Sequence, residues 1–152
     1  MKKIPFSKSA KINNNLSYIN QSLSLGKTEG NSIFSKKVEK IIENKLLNKK
    51  GKALLTPSCT AALELSAILL NFKKGDEVII PSFTFVSTAL AYYMNGAKIV
   101  FSDIRPDTLN LDENKLEGLI TKKTKAIVVV HYAGVSCEMD TIMEIAKKNK
   151  LI

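Results

Sequence analysis

A chain of 152 residues, 45% hydrophobic and 24% charged, is long enough for one globular domain with a real core. Its formal charge of +9 raises a nucleic-acid partner. However, the lysines (Lys36, Lys37, Lys40, Lys45, Lys73, Lys74, Lys122, Lys123, Lys147 and Lys148 among them) are scattered over helix faces and turns, with no RNA-binding aromatic motif, helix-turn-helix signature or arginine-rich arm, so none is expected. No apolar run reaches bilayer-spanning length, MKKIPFSKSAKINNN has no apolar segment of the signal-peptide kind, and Cys59 and Cys137 make no C-x-x-C pair; free thiols, no metal site and a cytoplasmic location are expected.

Residues 1–31 are polar, rich in Ser, Asn and Lys, and interrupted by Gly26 and Gly30, which predicts an extended arm ending in the loop LSLGKTEGN. From Ser32 the pattern changes. Phe34, Val38, Ile41, Ile42 and Leu46 recur at helical spacing, predicting an amphipathic helix packed by one face and ended by Lys49, Lys50 and Gly51. A short apolar strand at 53–55 follows, then the tight loop TPSCT, then ALELSAILLNF, whose apolar residues nearly surround a helix axis and predict a buried helix.

The strand, turn and helix unit then repeats. Residues 77–80 read as a strand, 81–84 as a turn, and 86–94 as a helix ending at Asn95-Gly96, where glycine suits a left-handed cap. Residues 98–102 form the next strand, and Asp103, Pro106 and Asp107 mark a turn. Asp112 can cap a helix through Ile120, 126–130 is a β-branched strand, and Asp140 can cap a helix through Asn149. Leu151 and Ile152 read as the start of another strand, so the chain is expected to be cut within a domain, leaving an unpaired, aggregation-prone sheet edge. Short continuous apolar strands alternating with helices belong to a sheet covered on both faces and joined by right-handed crossovers. The fold class is three-layer α/β.

In such sheets ligands bind beyond the carboxyl ends of the strands. Three loops lie there. In Thr56-Pro57-Ser58-Cys59-Thr60-Ala61, small and hydroxyl residues open a helix whose free N–H groups can hold a phosphate, although Ser58 or Thr60 can equally serve as a plain N-cap. In Pro81-Ser82-Phe83-Thr84-Phe85 two aromatics stand at a strand end where a planar ring can stack, Phe83 reading better as core packing. His131-Tyr132-Ala133-Gly134 carries the one histidine of the chain, which at such a place is more often a hydrogen-bonded structural residue than a catalyst. A Cys59 and His131 thiolate pair is conceivable, but no third orienting group or oxyanion hole follows from the spacing.

Taken together, LLTPSCTAALELSAILL and GDEVIIPSFTFVSTALAYYMNGAKIVFSDIRPDTLNLDENKLEGLITKKTKAIVVVHYAGVSCEMDTIMEIA resemble the DegT/StrS family of sugar aminotransferases, from about Gly26 to the last residue. The resemblance implies part of the large domain of a fold-type I transferase, with 1–31 as an arm and substrate-side loop and 32–152 as the amino-terminal half of the cofactor domain. It implies pyridoxal 5'-phosphate as cofactor and a homodimer with active sites at the subunit interface. Ser58, Cys59 and Thr60 become the turn that binds the cofactor phosphate, and Phe85 the aromatic that stacks on its ring. Thr28 and Glu29 of the 26–30 loop, together with His131 and Tyr132, border the substrate.

The variant motifs TPSCT, PSFTFVST, RPDT and HYAGVSCEMDTIM imply amino transfer, from glutamate, to the 4-keto carbon of a dTDP-linked 6-deoxyhexose, giving a product of the dTDP-4-amino-4,6-dideoxygalactose type for surface-polysaccharide or lipopolysaccharide precursors. The family's aspartate on the pyridine nitrogen, in an E-D-A-A segment, and its Schiff-base lysine, in an S-F-H-x-x-K segment, have no counterpart here. This polypeptide alone is therefore expected to be inert. A non-catalytic remnant or binding module, or a family dehydratase with histidine in place of that lysine, stay open as alternatives.

Overall fold

The structure, a computed structural model, describes residues 3, 5, 8–10 and 12–152. They fall into two units, Met1–Leu55 and Thr56–Ile152.

In the first unit, where an extended arm is expected, helix α1 runs over Asn15–Ser24. Leu16, Ile19 and Leu23 lie at the i, i+3, i+7 spacing of one helix face, a signal that the surrounding Asn and Ser residues dilute. None of its residues is buried, and the Tyr18 ring meets Phe34 edge-on with centroids 5.8 Å apart. Of the expected arm, positions 1, 2, 4, 6, 7 and 11 lie outside the described residues. Helix α2 (Ile33–Lys45) forms where its spacing predicts, and the chain reverses just beyond it, with Asn48 and Lys49 at positive φ. Its packing differs from expectation, since Val38 and Ile41 stay exposed and the buried member is Glu39. No strand forms at 53–55. The Ala53 and Leu55 N–H groups donate to the carboxylates of Glu43 (3.1 Å) and Glu39 (3.5 Å), so α2 side chains supply the acceptors that a neighbouring strand would otherwise offer.

The second unit is built on three parallel strands in the order β2-β1-β3: β1 Glu77–Pro81, β2 Lys98–Ser102 and β3 Thr124–Ile127. Every residue of β1 is buried, and its side chains alternate between two cores. Val78 and Ile80 join Ala67, Phe72, Ala91, Tyr92 and Ala126 under helices α3 (Cys59–Leu70) and α4 (Ser87–Tyr93). Ile79 points the other way, into Leu111, Leu116, Cys137, Ile142 and Ile145, beneath α5 (Leu116–Leu119) and α6 (Met139–Asn149). Helices on both faces of a parallel sheet make the three layers that the sequence predicts.

Four details differ from expectation. Helix α3 is not buried all round: it starts earlier, at Cys59, buries Ala67 and leaves Ile68 and Leu69 exposed. Strand β3 is displaced from 126–130 to Thr124–Ile127. Its last rung is Val128 N–H to Ile79 O at 2.8 Å. The next residue of β1 on that side is Pro81, which has no proton to donate, and the chain leaves the ladder. The helix expected after Asp112 opens as a 3-10 turn, Glu113–Lys115, with the Asp112 carboxylate accepting from Asn114 N–H at 3.0 Å. In α6 the N-cap position is Glu138, without a side-chain bond, and Asp140 sits in the first turn, where a carboxylate faces the positive end of the helix. Leu151 and Ile152 do begin to pair: Ile152 N–H donates to Lys125 O (3.1 Å) and Ile127 N–H to Ile152 O (2.8 Å), two parallel rungs on the outer edge of β3.

Candidate functional site

All three strands point the same way, so the loops that leave their carboxyl ends converge, and the amino end of α3 meets them there. Ser58 is extended (φ −159°) and its hydroxyl accepts from Ala61 N–H at 3.1 Å, an N-cap. Thr56 donates its hydroxyl to Ser58 O at 2.9 Å, tying down the turn before the helix. The Cys59 and Thr60 N–H groups donate to no protein acceptor among the described residues. With the Thr60 hydroxyl they leave three donors at the positive end of a twelve-residue helix, the arrangement that receives a phosphate.

These donors open onto a cleft of about 530 Å³ whose walls include Cys59, Thr60, Leu63, Phe85, Val128 and Tyr132. Phe85 is 72% exposed, a large ring held at the carboxyl end of β1 without core packing of its own. Thr84 and Thr88, hydrogen-bonded to each other at 2.9 Å, line the same space. Tyr132 is half-buried and packs on Phe83, with ring centroids 4.8 Å apart and planes tilted by 45°. Phe83 is itself 43% exposed and joins neither core, so the core packing that the sequence suggests for it is not what forms; its ring rests on Tyr132 instead. An anion cradle beside an apolar wall with a free aromatic ring fits a ligand that joins a phosphate to a flat ring.

Four of the expected residues, Cys59, Thr60, Phe85 and Tyr132, thus line one cleft. Ser58 stands beside it as the cap. His131 does not line it. Its Nδ1 accepts from Cys137 N–H at 3.1 Å, so the imidazole braces the turn after β3 and makes no pair with Cys59. Cys137 is buried, and burial pushes its thiol above the ordinary value, keeping the proton that it donates to Val130 O at 3.3 Å. Both cysteines are free, as expected. Thr28 and Glu29 lie in the exposed loop ahead of α2.

Sequence reasoning missed Thr88 and Asn110. Thr88 reads as an ordinary residue of α4. Asn110 is almost completely buried, donates Nδ2 to Val135 O (3.0 Å) and accepts from Tyr132 N–H (2.9 Å). Its partners lie more than twenty residues away, and no local spacing announces them. Among the described residues no group of side chains is placed to hold a metal ion, and no helix is long and apolar enough to cross a membrane. Among the described residues no lysine lines the cleft.

Residues 10–152 match the sequence profile described as the DegT/DnrJ/EryC1/StrS aminotransferase family. GDP-perosamine synthase of Caulobacter vibrioides is 45% identical over 93 residues, 61% of this chain and 25% of that protein. Helicobacter pylori PseC, an aminotransferase involved in pseudoaminic acid biosynthesis, superposes with a TM-score of 0.83 at 29% identity, over 99% of this chain and 40% of its own. The Escherichia coli GDP-4-keto-6-deoxy-D-mannose-3-dehydratase, solved with hydrated pyridoxal phosphate, superposes with a TM-score of 0.88 at 25% identity, over all of this chain and 40% of its own. The chain spans about a quarter of the length of the curated relatives it matches.

Proposed function

Because this chain belongs to the DegT/DnrJ/EryC1/StrS aminotransferase family, we propose that its cleft is the phosphate and ring side of a pyridoxal 5'-phosphate site in a nucleotide-sugar aminotransferase. The fold is the three-layer α/β fold of fold-type I transferases. The observation that carries the reading is the meeting of unused donors on Cys59 and Thr60 with the exposed Phe85 ring in one cleft.

In this reading the Cys59 and Thr60 N–H groups and the Thr60 hydroxyl take the phosphate. Phe85 would cover one face of the ring, and the apolar Leu63 and Val128 would exclude water from the cleft that receives it. Bound there, the cofactor supplies the electron sink for the carbon that gains or loses the amino group. No lysine stands in the walls described, and in this reading the amine that anchors the cofactor is supplied by another part of the family fold and the 152-residue polypeptide by itself binds the cofactor without turnover.

At the finer level we propose glutamate as amino donor, the 4-keto carbon of a dTDP-linked 6-deoxyhexose as acceptor, and a homodimer as the working form. Thr28, Glu29, His131 and Tyr132 would border the sugar, Tyr132 as a wall shared with the cofactor cleft. The support for these is the likeness of the TPSCT, PSFTFVST and RPDT motifs. The likeness to the dehydratase favours a second reading, loss of a sugar hydroxyl rather than gain of an amine.

The test begins with pyridoxal phosphate titrated into the protein. Thr60→Val removes a charge-assisted hydrogen bond and is expected to weaken binding about tenfold. Phe85→Ala should weaken it by a similar factor, about tenfold, through loss of the stacked ring. Binding unchanged in both variants would sink the cofactor reading. Incubating the whole enzyme with glutamate and dTDP-, GDP- or UDP-linked 4-keto sugars then identifies the acceptor by mass: an amino sugar supports the transaminase, and a deoxy sugar the dehydratase.

A further inference from the structure

The loop between β2 and the 3-10 turn, residues 103–112, takes no part in the cleft, yet it is built with unusual care. Ile104 and Leu111 form an antiparallel bridge at its base, with Asp112 N–H donating to Asp103 O at 3.0 Å. Arg105 N–H donates to Asn110 O and Leu109 N–H to Arg105 O, closing the loop on itself at 2.8 and 2.9 Å. The Arg105 guanidinium clasps Asp107 with two hydrogen bonds (3.0 and 2.8 Å) and reaches Glu113 at 2.9 Å. Leu109 is held at φ +61°, a conformation that a branched side chain adopts only under constraint.

The product of this construction is the placement of one side chain, Asn110, 2% exposed, whose amide group bonds twice to the turn after β3. That turn carries consecutive positive φ angles at Ala133 and Gly134 and presents Tyr132 to the cleft. A strained turn needs outside support to keep one geometry. Asn110 supplies it at both ends, at Tyr132 N–H and Val135 O, while Cys137 N–H to His131 braces the flank.

We propose that Asn110 is the positioning residue for the Tyr132 wall, so that the loop after β2 fixes the cleft formed by the loops after β1 and β3. The inference rests on the cofactor reading given above. Asn110 touches no ligand; it acts through Tyr132.

The test compares Asn110→Ala with Thr60→Val, each titrated with pyridoxal phosphate and followed by amide hydrogen exchange. Loss of the acceptor is expected to speed exchange at the Tyr132 amide about tenfold and to weaken cofactor binding by a similar factor, while the amides of Ile79 and Ile80 keep their protection. In a Tyr132→Ala background the same substitution should weaken binding no further, because its intermediary is already gone; a merely structural role would act equally in both backgrounds. If Asn110→Ala leaves binding within about twofold of the parent while Thr60→Val weakens it, the positioning inference falls and the cofactor reading stands. If Thr60→Val and Phe85→Ala are also silent, the cofactor reading has failed first. Should Asn110→Ala also lose protection at Ile79 and Ile80, Asn110→Asp decides, since it keeps an acceptor for Tyr132 N–H. Binding within about threefold of the parent then supports the proposal, and a loss of about tenfold with the Tyr132 amide still protected overturns it.

Discussion

Glu77 is a carboxylate placed where a strand would ordinarily tolerate none, buried at the start of the central strand. It persists because both oxygens are used: the Thr121 hydroxyl donates to one at 2.6 Å and Lys98 Nζ to the other at 2.9 Å. The Thr121 bond first, then Lys98, hold its carboxyl below the ordinary value of 4.5. A depressed folded-state value means that this stabilisation is fully present above the unfolded-state value and is lost as pH falls through the folded one. The stability difference between the protein and Glu77→Gln should therefore be constant from neutral pH down to about 5 and shrink below it. Denaturant midpoints of both proteins at several pH values check this, and a difference independent of pH would contradict it. Thr60→Val makes a useful contrast at the same scale, since in the cofactor reading it should weaken binding with little effect on the midpoint, its hydroxyl making no hydrogen bond among the described residues.

At the scale of elements, β1 and the cap of α3 have the most to lose. Ile79→Ala should cost about 2–5 kcal/mol, because a fully buried side chain leaves a cavity that a sheet covered on both faces cannot close. Ser58→Ala should cost about 1 kcal/mol through loss of the cap to Ala61, whereas Leu69→Ala, on the exposed side of the same helix, should stay within about 0.5 kcal/mol. Thermal or chemical unfolding of the three variants orders them.

The same elements show what the sequence reveals and what it hides. Strands β1 and β2 are legible because continuous β-branched runs bounded by turn residues have few alternatives, and the turn ahead of α3 because Ser58 both ends a loop and starts a helix. Residues 53–55 mislead because three apolar residues look like a strand until Glu39 and Glu43 take their N–H groups. Helix α1 is hidden by its Ser and Asn content. The bonds from Asn110 to Tyr132 and Val135 are invisible for a different reason: they join two loops distant in sequence through a conformation at Leu109 that no glycine or asparagine announces.

At the scale of the whole Thr56–Ile152 unit, large apolar side chains remain open on its surface, among them Ile68, Leu69, Leu90, Tyr93, Met94 and Phe101. Apolar surface of this kind is normally covered by other protein. The isolated 152-residue polypeptide is expected to associate with itself, so its sedimentation should depend on concentration and it should bind an apolar dye; a monodisperse, dye-silent monomer would contradict this. The alternation along β1 bears on how the unit comes apart. Val78 and Ile80 belong to one core and Ile79 to the other, which makes a single strand the party wall of both rooms. Neither room can be emptied while the other stays furnished, and the two helical layers share one melting event rather than two.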